Sequence, residues 1–230
     1  MAPRFKRVSV GVAIGMGCLV LLTWILIHTL PERDRLYKGR TLYDWLNTMN
    51  SPVVSTSNET RLVLQTEIIP DLTATMFNDT SDPKWKVALI DELNTLPGVN
   101  IFYTPSAGRR ARAAASLGGL GPVAQAAVPD LIKALKGTDS AVRGAAAKAL
   151  GDIKCQPETV IPLLINCLDD PQDDVPAAAT EALGEFGPLS RPALPKLLPL
   201  LRKPDKDLQR ALRVALKQID PEEAAKAGVK

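Results

Sequence analysis

Histidine is almost absent from this chain: His28 is the only one in 230 residues. A single imidazole excludes catalytic triads and metal centres that need histidine in the rest of the sequence. Cysteine is scarce too, with Cys18, Cys155 and Cys167 far apart and no Cys-x-x-Cys pair. That excludes a disulfide scaffold and a zinc ribbon. Cys155 and Cys167 fall in different elements and are read as two free thiols. Aromatic residues make up 4% of the chain, and of the ten only Phe186 lies beyond Pro105. The net charge is +3 with 23% charged residues, so there is neither a disordered polyelectrolyte nor the basic excess of a nucleic-acid binder. No glycine-rich nucleotide loop is present. These absences predict a non-enzyme without catalytic residues, cofactor or metal, and no nucleic-acid partner.

What is abundant is leucine and alanine, 32 and 28 residues, and 24 of the alanines lie at or after Ala107. A separate apolar excess lies near the N-terminus. Between Val8 and Leu30 no residue carries a formal charge except the titratable His28. Those residues would span roughly 34 Å as a helix, against about 30 Å of hydrocarbon. The run is longer than a secretory signal core and lacks a small-x-small cleavage site. It is therefore read as an uncleaved signal anchor over residues 8–30, after a basic tail at 1–7. The Lys/Arg count is nearly balanced, Arg4, Lys6 and Arg7 before it against Arg33, Arg35, Lys38 and Arg40 after it. The short tail before a long apolar run resembles an export signal. The expectation is a single-pass protein of a bacterial inner membrane with its soluble part on the non-cytoplasmic side.

From Ala111 onward the chain repeats itself. Leu117, Leu150, Leu183 and Leu216 are 33 residues apart, as are Pro129, Pro162 and Pro195. Leu131, Leu164 and Leu197 share that phase, as do Val142, Val175 and Leu208. Several columns in one phase mark a repeat array. Each unit reads as two helices. The first is alanine-rich, with Asp139 or Ser140 as N-cap and Gly118, Gly151 or Gly184 as the residue closing it. The second starts near its proline, which a first turn tolerates. Val128, Leu131, Ile132 and Leu135 form one apolar stripe on it. A lone hairpin cannot bury such a stripe from both sides, whereas stacked neighbours can.

Asp139, Val142, Arg143, Ala146, Ala149, Leu150 and Gly151 form a D-x-x-V-R-x-x-A-x-x-A-L-G string. It resembles the short HEAT-like repeats, including the phycobilin-lyase type. In the next unit Pro176 replaces Arg143, which puts an Asp/Arg ladder in doubt there. Gly39 to Leu46 is similar to a string that follows the membrane segment in bacterial HEAT-repeat proteins. The resemblance implies an all-α fold: an α-solenoid of helical hairpins, period 33, after an N-terminal transmembrane helix. It specifies no activity.

Residues 31–108 form a juxtamembrane helical region, 109–222 the repeat domain and 223–230 a polar tail. Within the first of these, Thr41 is read as the N-cap of a helix bearing Leu42, Trp45 and Leu46. Lys84 to Leu96 reads as another helix. Ile69-Pro70-Asp71-Leu72 matches Val128-Pro129-Asp130-Leu131 and predicts a degenerate first unit with an insertion. Asp169, Asp170, Asp173 and Asp174 read as a solvated loop with helix caps, because their spacing is not that of a calcium loop and Pro171 interrupts it. Arg202, Lys203, Lys206, Arg210 and Arg213, with Lys217, make the last unit basic. This is the candidate partner surface, although a terminal repeat also needs a polar outer side. The function expected is a membrane-anchored protein-interaction scaffold for a protein partner, in an oligomeric state the sequence leaves open. The alternative is a lyase-like or chaperone protein holding a small ligand in the solenoid groove.

Overall fold

The computed structural model describes residues 36–37, 39–41, 62–79, 87–88, 90–92, 95, 104–172 and 174–229. The membrane-anchor expectation at residues 8–30 lies outside the described residues. Among those described, no helix is long and apolar enough to cross a membrane. The chain divides into two compact units, residues 1–35 with 82–104, and residues 36–81 with 105–230. In the first, Val87, Ala88 and Ile90 to Glu92 are helical, and Ile90 is buried. Trp85 and Leu93 of the expected helix lie outside the described residues.

Among its described residues, the regular structure of the second unit is helical apart from one antiparallel pair, β1 (Leu36–Tyr37) with β2 (Arg40–Thr41). Leu36 faces Thr41 across it, and Gly39 takes φ +77° at its turn. Thr41 thus ends a strand pair, and the helix expected after it lies outside the described residues.

A π-helical turn at Leu64–Ile68 runs into α1 (Ile69–Asn78), whose Pro70 sits in the first turn. Then follow α2 (Ser106–Gly119), α3 (Val128–Ala134), α4 (Ser140–Ile153), α5 (Pro157–Cys167) and α6 (Asp174–Glu185). The remaining helices are α7 (Leu194–Leu200), α8 (Lys206–Ile219) and α9 (Pro221–Lys226). Helices α2, α4, α6 and α8 stack on one another in order, and the intervening helices pack back onto them. This is the repeat-like hairpin packing of a helical solenoid.

One core runs through the stack. Leu117, Leu150, Leu183 and Leu216 are fully buried, and so are Leu131, Leu164 and Leu197. Each fully buried leucine contributes about 1.5–3 kcal/mol of transfer free energy, which explains why these columns hold their phase. Pro129 and Pro195 sit in the first turn of α3 and α7, as expected. Pro162 does not: α5 starts at Pro157 and places Pro162 in its interior. The carbonyl it leaves without an N–H partner is that of Glu158, an exposed residue that water can reach.

This difference has a local cause. Gly121 and Gly187 take φ +58° and +57° and lead into 3₁₀ turns, Gly121–Ala127 and Gly187–Ala193. The matching residue in the middle unit is Lys154, at φ 54°, with Gln156 also left-handed at φ 53°. Two non-glycine residues in that region are uncommon, and together they redirect the chain so that a regular α-helix begins at Pro157.

Gly118, Gly151 and Gly184 are not the closing caps that the local pattern suggests. All three lie inside their helices. A Cβ on Gly118 would fall 2.8 Å from the Cα of Ala149, on Gly151 2.5 Å from that of Ala182, and on Gly184 3.0 Å from that of Ala215. Each glycine is the point where its helix touches the first helix of the next unit.

The end of the chain also departs from expectation. Residues 223–229, within the segment 223–230 read as a polar tail, form the rest of α9 and its closing turn, and α9 is capped by the Asp220 carboxylate accepting from the N–H groups of Glu222 and Glu223. The Val229 N–H donates to Ala224 O and the Gly228 N–H to Ala225 O, with Gly228 at φ +78°. This closing turn buries Ala224 and Val229 against the core.

Candidate interaction surface

Ion pairs tie successive units together and decide which charges remain unpaired. Arg109 donates through Nε and Nη2 to the Asp79 carboxylate at 2.6 and 2.7 Å. Arg110 donates to Asp79 O and to Asp139 Oδ2. Arg143 grips Asp170 in the same forked way, 2.8 Å at each nitrogen, and also reaches the carbonyls of Gly137 and Thr138. The ladder breaks at Pro176, the residue in phase with Arg143. One unit further on, Gln209 donates to Lys203 O instead.

The acidic loop is therefore engaged rather than merely solvated. Asp170 pairs with Arg143 and Asp169 with Lys196. The hydrogen bonds from Arg143 hold the Asp170 carboxyl below its usual value, and Asp170 in turn raises that of Arg143. Among the described residues no group of three or more His, Cys, Asp or Glu side chains is placed to hold a metal ion. Cys155 and Cys167 are both free. Burial, reinforced by the charge of Asp170, pushes the Cys167 thiol up to about 11. It stays protonated near neutrality and is a poor nucleophile.

A groove of about 340 Å³ crosses α4, α6 and α8. Ala182, Ala211 and Ala215 contribute apolar lining, and Lys148, Asp152, Glu181, Glu185, Arg210 and Gln218 the polar lining. Lys148 pairs with Glu181 at 3.1 Å, and just outside the groove Lys154 pairs with Glu185 at 2.8 Å. Burial first, then the charge of Glu185, raises the Asp152 carboxyl above its ordinary value, against the pull of Lys148. Apart from Arg210, already singled out as part of the basic last unit, these polar residues drew no attention in the sequence, because each looks like an ordinary polar side chain on a helix surface. Their 33-residue phase, Lys148 with Glu181 and Asp152 with Glu185, is the one signal that could have grouped them.

The five cations singled out from the sequence separate into two places. Arg202 and Lys203 are exposed in the turn between α7 and α8, and Lys206, Arg210 and Arg213 are exposed on α8. Lys217 joins the last three. At 100° per residue these four α8 cations fall within roughly 60° of one helix face and extend over about 16 Å. No salt bridge among the described residues engages any of the six. The Val214 side chain, 55% exposed, lies at the edge of the stripe and lines the groove. The repeat anchors, by contrast, are core leucines and prolines of the second helices, Pro129 and Pro195 at helix entry and Pro162 inside α5, and they reach the surface only through the prolines.

Comparison with known proteins agrees with this geometry. Of solved structures, the complex of CpcE and CpcF of phycocyanin lyase from Nostoc sp. PCC7120 is similar at 25% identity and a TM-score of 0.51, over 84% of this chain and 70% of that one. Two engineered proteins are similar at 21% and 19% identity, with TM-scores of 0.42 and 0.45; they cover 82% and 83% of this chain, and 83% and 88% of their own lengths. No curated protein matches the chain. The family model for HEAT repeats matches residues 100–184 and 161–227, more than half of the sequence and the whole of the stack from α2 to α9. The chain belongs to the HEAT-repeat family.

Proposed function

We propose that the chain is a non-catalytic scaffold, anchored in a membrane through residues 8–30, that presents its helical stack to a protein partner on the non-cytoplasmic side. The observation that carries this reading is the exposed, unpaired cationic surface at the end of a rigidly stacked array. A continuous core and interlocked glycines hold such a surface in fixed geometry without any chemistry being required of it. The similarity to a complex of two phycocyanin lyase subunits supports a binding role for this packing.

The test is crosslinking in living cells with the intact chain, together with proximity labelling from the C-terminus. The expected outcome is a reproducible protein neighbour outside the cytoplasm that is lost when Leu183→Asp disrupts the stack. Neighbours restricted to the cytoplasm would reverse the orientation, and no specific neighbour would remove the scaffold reading.

A second reading, a lyase-like or chaperone protein for a small ligand, draws on the groove across α4, α6 and α8 and on the lyase subunits. A bound small molecule that co-purifies with the chain and is displaced by Ala182→Trp would favour it.

A further inference from the structure

In the interior units, the face that each first helix turns toward the next unit is made of small residues. Gly144 lies against Asp174 and Ala178 of α6, and Gly151 lies against Ala182. Ala147 and Thr180 are buried on α4 and α6. In α8 the residues in phase with these are not small. Arg210 follows Gly144 and Ala177, Arg213 follows Ala147 and Thr180, and Lys217 follows Gly151 and Gly184. The cationic stripe therefore occupies the face that a further repeat would cover, and its long side chains exclude the glycine-to-alanine contact by which such a repeat would dock.

A face made only to stay soluble does best with charges of both signs interspersed. This one carries a single sign, at positions three and four residues apart where like charges repel, and without a carboxylate partner in the described chain. We propose that this face docks an acidic helix of a partner protein, lying where the next first helix would lie, with carboxylates spaced i, i+4, i+7 and i+11 against Lys206, Arg210, Arg213 and Lys217. Val214 supplies an apolar contact at its edge. An extended polyanion fits less well, because in the groove beside the stripe Glu181 is balanced by Lys148 and Glu185 by Lys154, so the unbalanced positive charge is confined to a strip one helix wide. The inference rests on the scaffold reading and specifies its partner chemistry.

The test uses the full chain and a synthetic helix-forming peptide with glutamates at that spacing. Comparators are a scrambled peptide of the same composition, phosphatidylserine vesicles and a DNA duplex, and binding is read by fluorescence anisotropy or co-sedimentation. The spaced peptide is expected to bind at least about tenfold more tightly than the scrambled one and to weaken as salt rises. The triple variant Arg210→Glu, Arg213→Glu, Lys217→Glu should abolish the preference with the circular dichroism spectrum unchanged. The neutral variant Arg210→Gln, Arg213→Gln, Lys217→Gln should weaken it to an intermediate degree. Equal binding of both peptides, or tighter binding to vesicles or DNA, overturns the inference. In cells, a crosslinked partner that is insensitive to the triple variant but lost with Leu183→Asp overturns the acidic helix and leaves the scaffold standing. Absence of any partner for the wild-type chain removes both.

Discussion

Helices α4 and α8 occupy equivalent places in their units, share the buried leucines Leu150 and Leu216, and differ on the face turned toward the C-terminal end of the stack. In α4 that face is Gly144, Ala147 and Gly151, closed by α6; in α8 it is Arg210, Arg213 and Lys217, open to solvent. The comparison separates two kinds of repeat position. The leucine columns are needed by every unit, because every hairpin must bury its stripe. The small-residue columns are needed only by a unit that has a successor. In α8, on which no further unit packs among the described residues, that restriction is absent and long charged side chains take the positions.

The strongest way to break this comparison is to give α4 the residue that α8 carries. Gly151→Lys forces a long side chain into a 2.5 Å approach to Ala182 Cα. It should destabilise the fold by more than about 3 kcal/mol in denaturant titration, from overpacking together with a buried charge. Gly151→Ala sets a helix-propensity gain of about 1 kcal/mol against the same clash and should still lose about 1–2 kcal/mol. Gly144→Ala meets neighbours only at 3.8 Å or beyond, so it should gain about 0.5–1 kcal/mol. If Gly151→Ala were also stabilising, the close-approach account of the glycine column would fail.

An intermediate effect is expected where the ladder is intact. Arg143 and Asp170 are only 12% and 13% exposed, and Asp170→Asn should cost about 1–3 kcal/mol at neutral pH. The Asp170 carboxyl titrates below its ordinary 3.8 in the folded chain. Its contribution is therefore complete above about pH 4 and disappears as pH falls through the lowered value. The stability difference between wild type and Asp170→Asn should shrink in that acid range. A difference that is constant down to pH 2 would show that the pair does not act through the carboxylate.

The smallest effect concerns the left-handed column. Lys154 stands where Gly121 and Gly187 stand, at φ 54°, and its pair with Glu185 is half exposed. Lys154→Gly should raise stability by about 0.5–1 kcal/mol, since relief of the backbone exceeds the loss of a surface ion pair. The same change could draw Gln156 out of its left-handed conformation. Amide hydrogen exchange at the start of α5 would report that directly.

Much of the fold was legible in the chain itself, because burial recurs at the repeat period and selects the same residue types each time. Leu117, Leu150, Leu183 and Leu216 were readable as core for that reason, as was the match between Ile69-Pro70-Asp71-Leu72 and the later helix starts. Gly151 was misread because a glycine after an Ala-Leu pair looks locally like a helix stop. The Cα of Ala182, 31 residues on, is what requires it. Pro162 was misplaced because the two left-handed residues that start α5 early have no signature in sequence. Asp170 looked like one member of a solvated acidic loop, and only packing brought it to Arg143. The polar C-terminal segment hid a helix because its two buried residues, Ala224 and Val229, are too few to show periodicity.

The sequence by itself determined the repeat, its period, its family resemblance and the basic character of the last unit. These follow from composition and spacing, which local chain physics reads directly. Tertiary structure alone decided which small residues are contact points, which charges find partners, and that the unpaired cations of α8 lie on the face equivalent to the one that α4 and α6 bury against their neighbours. Those properties belong to pairs of units rather than to any unit. They arise from the few ångströms separating adjacent helices, a distance that no single stretch of chain encodes.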